Sequence, residues 1–344
     1  MDNSFFILSK QKVKISRFHI CTWDIENENS FIELGLEFKC IEEFNQDTVK
    51  EIEFKLVAPF MKKEDTVRCL ACSLIEDTNS CKFVFNDNIK SFSPIRNDKR
   101  HGGVLQFETR GALTILPLSK NSIDDGGQVL SFKIKTIDLS RLNSNYTRFL
   151  IKTKSNTLSA MIKGIAYTNY IYDIKLNEKR NLPDRVHSII NDEYHLCVVE
   201  SCFCFHVIPN TFTLSFVDQN KLRNIRELEV PAFKKYLSEI ESMENGKYII
   251  VFNKDGSQAD SYSFFTIFTR EIIGMKQIGI AIAANIVCSL LFASAALRTS
   301  YSYDNGISFF KQIPIEYWFA ILVLLIALAL LFFPFIKKIK KIIL

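Results

Sequence analysis

Apolar and polar residues alternate through the first half of this chain. Phe31-Ile-Glu-Leu-Gly-Leu-Glu-Phe-Lys-Cys40 changes character at nearly every position, and so does Val49-Lys-Glu-Ile-Glu-Phe-Lys-Leu-Val57. Successive side chains of a strand point to opposite faces, so this period predicts half-buried strands with one apolar and one charged face. Further strand-like runs are Val13–Thr22, Lys82–Phe85, Val104–Leu116, Val129–Thr136, Tyr146–Ile151 and Ser159–Ile174. Turn signals separate them at Asn86-Asp-Asn88, His101-Gly-Gly103 and Asp124-Asp-Gly-Gly127. Residues 1–176 are expected to form an antiparallel β-sandwich or jelly-roll-like domain.

The pattern lapses over Asn177-Glu-Lys-Arg-Asn-Leu-Pro-Asp-Arg185, which is polar and contains proline, so 177–185 reads as a linker. Residues 186–270 then read as a smaller α+β unit. Cys197–Ile208 and Thr211–Val217 are strand candidates, and Lys221–Leu228 and Pro231–Ile240 helix candidates. Proline suits a first helical turn, and Phe233, Tyr236, Leu237 and Ile240 share one helical face. Lys247–Phe252 and Ser261–Thr269 are expected to pair as a hairpin around Asn253-Lys-Asp-Gly-Ser257.

The last part changes character again. Ile278–Leu297 and Tyr317–Ile336 are two uncharged apolar runs of 20 residues each. A helix of that length spans roughly 30 Å, the thickness of a bilayer's hydrocarbon core. With the short polar link Arg298–Glu316, residues 271–344 are expected to form a two-helix transmembrane hairpin with a basic tail. Lys337, Lys338, Lys340 and Lys341 follow the second run, Arg270 and Lys276 precede the first, and the link holds only Arg298 and Lys311 as basic residues. Excess Lys and Arg stay on the cytoplasmic side, which predicts a multi-pass protein of the inner (plasma) membrane with both termini in the cytoplasm. The apolar run near the N-terminus is too short for a secretory signal.

Composition adds three constraints. Thirty phenylalanines against twelve glycines favour packed β structure over disorder. Nine cysteines, an odd number with Cys288 inside an apolar run, fit reduced thiols rather than a disulfide framework. A net charge of +5, partly from the lysine tail, is not the balance of a dedicated DNA binder.

Candidate chemistry is sparse. Arg96, Lys99, Arg100 and His101 concentrate cationic donors beside Gly102 and Gly103, which suits either a phosphate or nucleotide-like ligand or a solvated hairpin tip. Lys221, Arg223, Arg226, Lys234 and Lys235 form a second basic group, suited to solvation or to anionic lipid headgroups. Cys202, Cys204 and His206 fall on one face of a strand, with Phe203 and Phe205 on the other, and Cys69-Leu-Ala-Cys72 has a metal-like spacing. Alternate strand positions lie roughly 7 Å apart, which fits one tetrahedral ion poorly. Buried thiols are therefore expected, with neither metal nor cofactor. Ala281, Ala284, Asn285, Cys288, Ser289, Phe292, Ala293 and Ala296 make a small, weakly polar stripe on the first apolar run. Such a stripe packs inside a hairpin or faces copies of itself around a pore. Nucleophile-elbow, P-loop, dinucleotide and zinc-protease motifs are absent from the sequence, so an enzyme is not expected.

These features predict a membrane-anchored sensor or effector. Its β-rich region would recognise a nucleotide-like ligand or a soluble protein partner, and its hairpins would form a homo-oligomer acting on membrane lipid. The layout is similar to that of bacterial two-helix effectors of phage-defence systems, which join a cytoplasmic recognition domain to a short membrane module. The alternatives are a passive membrane-anchored scaffold and a membrane-tethered enzyme.

Overall fold

The computed structural model describes residues 4–23, 30–41, 49–153, 158–164, 166–178, 180, 183–228, 237, 247–272 and 275–303, and the positions 315, 318, 319, 321 and 322. Two units divide it, Met1–Arg270 and Glu271–Leu344.

The first unit is mainly β, built on two sheets. The nine-stranded sheet runs β17 (Phe212–Val217), β20 (Tyr262–Glu271), β13 (Tyr167–Leu176), β1 (Ser4–Ser9), β4 (Glu51–Val57), β10 (Val129–Lys135) and β9 (Lys120–Ile123). The short strands β12 (Ala160–Lys163) and β14 (His195–Leu196) pair with β13 and β1. The eleven-stranded sheet runs β18 (Leu222–Glu227), β19 (Tyr248–Asp255), β16 (Cys202–Pro209), β2 (Val13–Trp23), β3 (Ser30–Cys40), β11 (Ser144–Thr153), β8 (Ala112–Ile115), β7 (Gly103–Phe107) and β6 (Ile89–Pro94). To it are added β15 (Val198–Val199) on β2 and β5 (Thr66–Cys69) on β11.

Both sheets are mixed, which corrects the antiparallel expectation. β1 runs parallel to β13, β2 to β15 and β16, and β8 to β11. The alternating runs supply the apolar filling between the sheets. Phe18, Ile20, Ile32, Leu34, Leu36, Phe54 and Phe132 are fully buried in one cluster. Rings meet across the gap, Phe38 with Phe54 at 5.4 Å and Phe132 with Phe149 at 5.0 Å between centroids. Each such side chain taken from water is worth about 1.5–3 kcal/mol.

The outer faces are covered as well. Helix α3 (Asp184–Asn191) lays Val186 and Ile189 against Phe6, Leu8, Val57 and Val129 of the nine-stranded sheet. Helices α1 (Leu70–Glu76) and α2 (Thr78–Phe85) cover part of the other sheet. Leu70, Leu74 and Ile75 of α1 share a buried cluster with Cys21, Trp23, Tyr146 and Leu150.

The linker expected at 177–185 is a connection inside one unit. β16 lies between β2 and β19, and β20 between β13 and β17, so strands from both sides of it share each sheet. Asn177, which opens that stretch, is 2% exposed and stitches three segments: Ile7 N donates to its Oδ1 at 3.1 Å, and its Nδ2 donates to Cys197 O at 3.0 Å.

Three local expectations are also corrected. Lys82–Phe85 is the end of α2, closed by Asn86 in the left-handed conformation. Lys221–Leu228 holds strand β18 rather than a helix, paired with β19. Residues 248–255 and 262–271 do not form a hairpin, because β19 and β20 belong to different sheets. The helix expected over Pro231–Ile240 lies outside the described residues apart from Leu237.

The second unit contains α4 (Met275–Tyr303), in which Gly279–Arg298 has a mean hydropathy of 2.2 and is long and apolar enough to cross a membrane. It is the one such helix among the described residues. Most of the second run, Tyr317–Ile336, lies outside them, though Trp318, Phe319, Ile321 and Leu322 are helical and exposed.

Candidate functional site

A cleft of about 330 Å³ opens on the outer face of the eleven-stranded sheet. Strand alternation builds its floor. β2 turns Arg17 and His19 outward while Phe18 and Ile20 fill the core. Parallel to it, β16 presents Phe203 and Phe205, with Phe203 in register with His19. β19 adds Ile250 and Phe252, and β18 adds Arg223, Asn224 and Arg226. The α2 terminus supplies Val84, Phe85 and Asn86.

Arg110 enters from the turn between β7 and β8. Asp87 holds that turn by accepting from Thr109 Oγ1 at 2.6 Å and from Arg110 N at 3.0 Å. The Arg110 guanidinium then sits 4.9 Å from the Phe85 ring centroid and donates to Glu37 Oε2 at 2.5 Å.

Three phenylalanines form a nearly parallel row. Phe205 and Phe252 stack at 4.6 Å and 7°, and Phe203 and Phe252 at 5.9 Å and 9°. Arg17 and Lys254 lie over the Phe203 ring at 5.9 and 5.3 Å.

Beneath the cleft, the charged face of β3 is buried rather than solvated. Glu33 is 1% exposed; it accepts from Arg148 Nε at 2.7 Å and from Trp23 Nε1 at 2.5 Å. Arg148 Nη1 donates to Tyr146 Oη at 3.1 Å. A guanidinium cannot accept, so the Tyr146 proton is free to point at His19 Nδ1, 3.2 Å away. Gly35 makes this possible, because a Cβ there would collide with the Tyr146 hydroxyl. Burial, reinforced by Arg148, Arg110 and Arg17, holds the His19 pKa well below the ordinary histidine value, so the ring is neutral at pH 7. Burial also raises the Tyr146 pKa and keeps that hydroxyl protonated.

Positive charge is in excess. Arg17, Arg110, Arg223 and Arg226 line the cleft, and Glu37 faces the first two. Among the described residues, Arg223 and Arg226 have no acidic partner. Stacked rings beside unpaired guanidiniums suit an anionic ligand with a planar group, since bases stack on aromatic faces and Arg grips phosphate through paired donors.

The loop singled out in the sequence is more self-contained. Arg96 faces Asp138 at 3.7 Å and donates to Ile137 O at 3.1 Å. Arg100 pairs with Asp98 at 2.8 Å, His101 Nδ1 lies 3.3 Å from Asp138, and Lys99 lies over the Phe92 ring. These four side chains thus already have partners within the fold. Of the second basic group, Arg223 and Arg226 reach the cleft, Lys221 pairs with Asp255 at 3.1 Å, and Lys234 and Lys235 lie outside the described residues. The β16 alternation falls as expected, with Cys202, Cys204 and His206 inward and the phenylalanines outward. His206 Nδ1 meets Thr22 Oγ1 at 2.8 Å. Among the described residues no three His, Cys, Asp or Glu side chains converge as a metal site.

In α4, Ala284, Cys288, Leu291 and Ala295 are at least partly shielded, whereas Ala281, Asn285, Ser289, Ala293 and Ala296 are exposed. Ser289 Oγ donates back to Asn285 O at 2.9 Å.

No family model matches the chain, and no curated protein matches it. Two of the solved structures that match it do so only weakly. One is a protein of Parabacteroides distasonis assigned provisionally to the proteases, with a TM-score of 0.30 and 11% identity, covering 75% of this chain and 40% of its own. The other is the M1 zinc metallopeptidase of Deinococcus radiodurans, with a TM-score of 0.29 and 7% identity, covering 76% of this chain and 43% of its own. The chain therefore spans less than half of either protein, and likenesses this low carry no argument about activity.

Proposed function

We propose that this chain is a membrane-anchored sensor whose β-rich unit binds a nucleotide-type anion in the arginine- and phenylalanine-lined cleft. The observation that carries this reading is the placement of Arg223 and Arg226, without acidic partners among the described residues, beside the Phe203–Phe252–Phe205 row. The rings offer a stacking platform for a base, and the guanidiniums offer bidentate donors to phosphate oxygens. Neutral His19, fixed by Tyr146, adds a donor at Nε2 when Nδ1 accepts. Catalysis is not part of the reading, because His19 is held by the fold and, among the described residues, no nucleophile lines the cleft beside it.

The apolar helix α4 supports a membrane location, and in this reading the two-helix module at 271–344 carries the response by assembling with copies of itself in the inner membrane. Ligand binding in the cleft would favour that assembly.

The test is calorimetric titration of the full chain in detergent with linear and cyclic nucleotides, and with inorganic phosphate as a control. One nucleotide class should bind. Arg223→Ala and Arg226→Ala should each weaken it by about tenfold or more, the worth of one charge-assisted contact, and Phe252→Ala should weaken nucleotide binding while leaving phosphate unaffected. Nucleotides that fail to bind, or bind equally to both arginine variants, would refute the assignment.

A further inference from the structure

The cations that line the cleft fall into two sets, one on each side of its aromatic floor. Arg223 and Arg226 stand on the edge strand β18, whereas Arg17 and Arg110 meet Glu37 on the far side, at β2 and β3. Between the sets, β19 and β16 carry Phe252, Phe203 and Phe205. His19, the remaining ionisable residue among the described ones that line the cleft, is neutral at pH 7.

Each set is fixed by its own device. The register of β18 against β19 shifts between Leu222 and Asn224, so Arg223 is the extra residue of a bulge. Arg223 therefore lines the cleft together with Asn224 and Arg226, whereas a regular strand would turn it to the opposite face. Arg17 and Arg110 are clamped on Glu37. Arg17 Nε lies 3.7 Å from Glu37 Oε2, and Arg110 Nη2 donates to the same oxygen at 2.5 Å. Glu37 is 7% exposed, so it holds both guanidiniums from behind, and a guanidinium has five N–H groups, enough to serve a ligand as well. Neighbouring strands lie about 4.8 Å apart, and β3 is four strands from β18, so the two sets are rooted about 19 Å apart across the sheet. One phosphate group cannot touch both.

Resting on the nucleotide reading above, we infer that the cleft takes a nucleoside with phosphate groups on both sides of its sugar, a nucleoside 3′,5′-bisphosphate. Arg223 and Arg226 hold one phosphate, Arg17 and Arg110 hold the other, and the base lies on the phenylalanines between them. Paired guanidinium donors suit the oxygens of each phosphate, and the rings suit the face of the base. A nucleoside 5′-diphosphate has both phosphates at one end. It satisfies one arginine set and leaves the other facing water.

The experiment titrates the full chain in detergent, by calorimetry, with the 5′-monophosphate, 5′-diphosphate and 3′,5′-bisphosphate of adenosine and of guanosine. Diphosphate and bisphosphate carry two phosphates each and differ in where these sit. For at least one base the bisphosphate should bind about tenfold tighter or more than the 5′-diphosphate, the worth of one further charge-assisted contact. That comparison uses the parent protein and does not depend on any variant folding. Arg17→Ala should remove the advantage, and Arg223→Ala should weaken the bisphosphate by about tenfold. A 5′-diphosphate that binds as tightly as the bisphosphate, or an advantage that survives in Arg17→Ala, would overturn this inference and leave the nucleotide reading standing. Binding by none of the six would overturn the inference too, and the nucleotide reading falls with it if cyclic nucleotides also fail to bind.

Discussion

Replacing Arg148 by methionine should test the polar network under the cleft most directly. Arg148 and Glu33 are 6% and 1% exposed, and the guanidinium meets the carboxylate through two nitrogens. Methionine keeps most of the side-chain volume, so cavity formation is a minor part of the change. What is lost is the charge that compensates Glu33, which then has the Trp23 indole N–H as its remaining donor among the contacts described above. Leaving one member of a buried pair uncompensated costs about 3–5 kcal/mol. For a unit of this size each kcal/mol lowers the melting temperature by about 2–4 °C, so Arg148→Met should melt at least about 6 °C lower. Trp23 and Trp318 are the chain's two tryptophans, and Trp23 touches Glu33, so indole emission followed during heating reports on this very contact. The double variant Glu33→Leu, Arg148→Met removes both charges and should recover much of the loss, because apolar replacement of a buried pair is often neutral. An Arg148→Met protein within about 1 kcal/mol of the parent, or a double variant no better than the single one, would refute the view that the pair is charge-compensated and dry.

Acidification should unfold the first unit earlier than its carboxylates alone would require. Burial holds His206 at about 3 and His19 well below its ordinary value, so the unfolded chain binds their protons first. Stability is therefore lost as pH falls from about 6.5 towards 3, by about 2 kcal/mol at pH 5 for His206, with His19 acting in the same direction. Denaturant melts at pH 7 and pH 5 should show that drop, and His206→Gln should flatten it; equal slopes in parent and variant would count against the assignment. Asn285→Leu should leave membrane insertion intact but abolish any loss of membrane potential caused by expressing the full chain in bacteria. Depolarisation equal to the parent's would show that Asn285 has no part in the response.

Strand pattern was readable because it is local. Val13–Thr22, Phe31–Cys40 and Val129–Thr136 each became a strand with most of its apolar residues between the sheets, since a period of two depends only on neighbours. What alternation does not say is what lies over the other face. Glu33 and Glu37 looked like a solvated edge, but the chain returns with Arg148 and Arg110 to neutralise them, more than 70 residues later in each case. Pairing was hidden for the same reason. β16 lies beside β2, some 180 residues away, and nothing near residue 203 announces that neighbour. β18 was misread because Leu-Arg-Asn-Ile-Arg-Glu has no alternation of its own; β19 holds it as a strand at the sheet edge.

The cleft follows from those long-range pairings, and that explains why sequence inspection found half of it. Phe203 and Phe205 were placed on a common face by the Cys-Phe-Cys-Phe-His alternation, and Arg223 and Arg226 were noticed as a basic group. Their convergence required β2, β16, β19 and β18 to lie side by side, which no short motif encodes. The Arg96–His101 loop had the opposite fate. Three cations and a histidine in six residues look like a binding site when read locally, yet Asp98 lies within the loop and Asp138 is brought against it from the segment after β10. A cluster of like charges in sequence is informative about binding only once the fold shows which of its members lack partners. By that criterion, among the described residues, Arg223 and Arg226 are the better candidates for a ligand's phosphate than the loop that first drew attention.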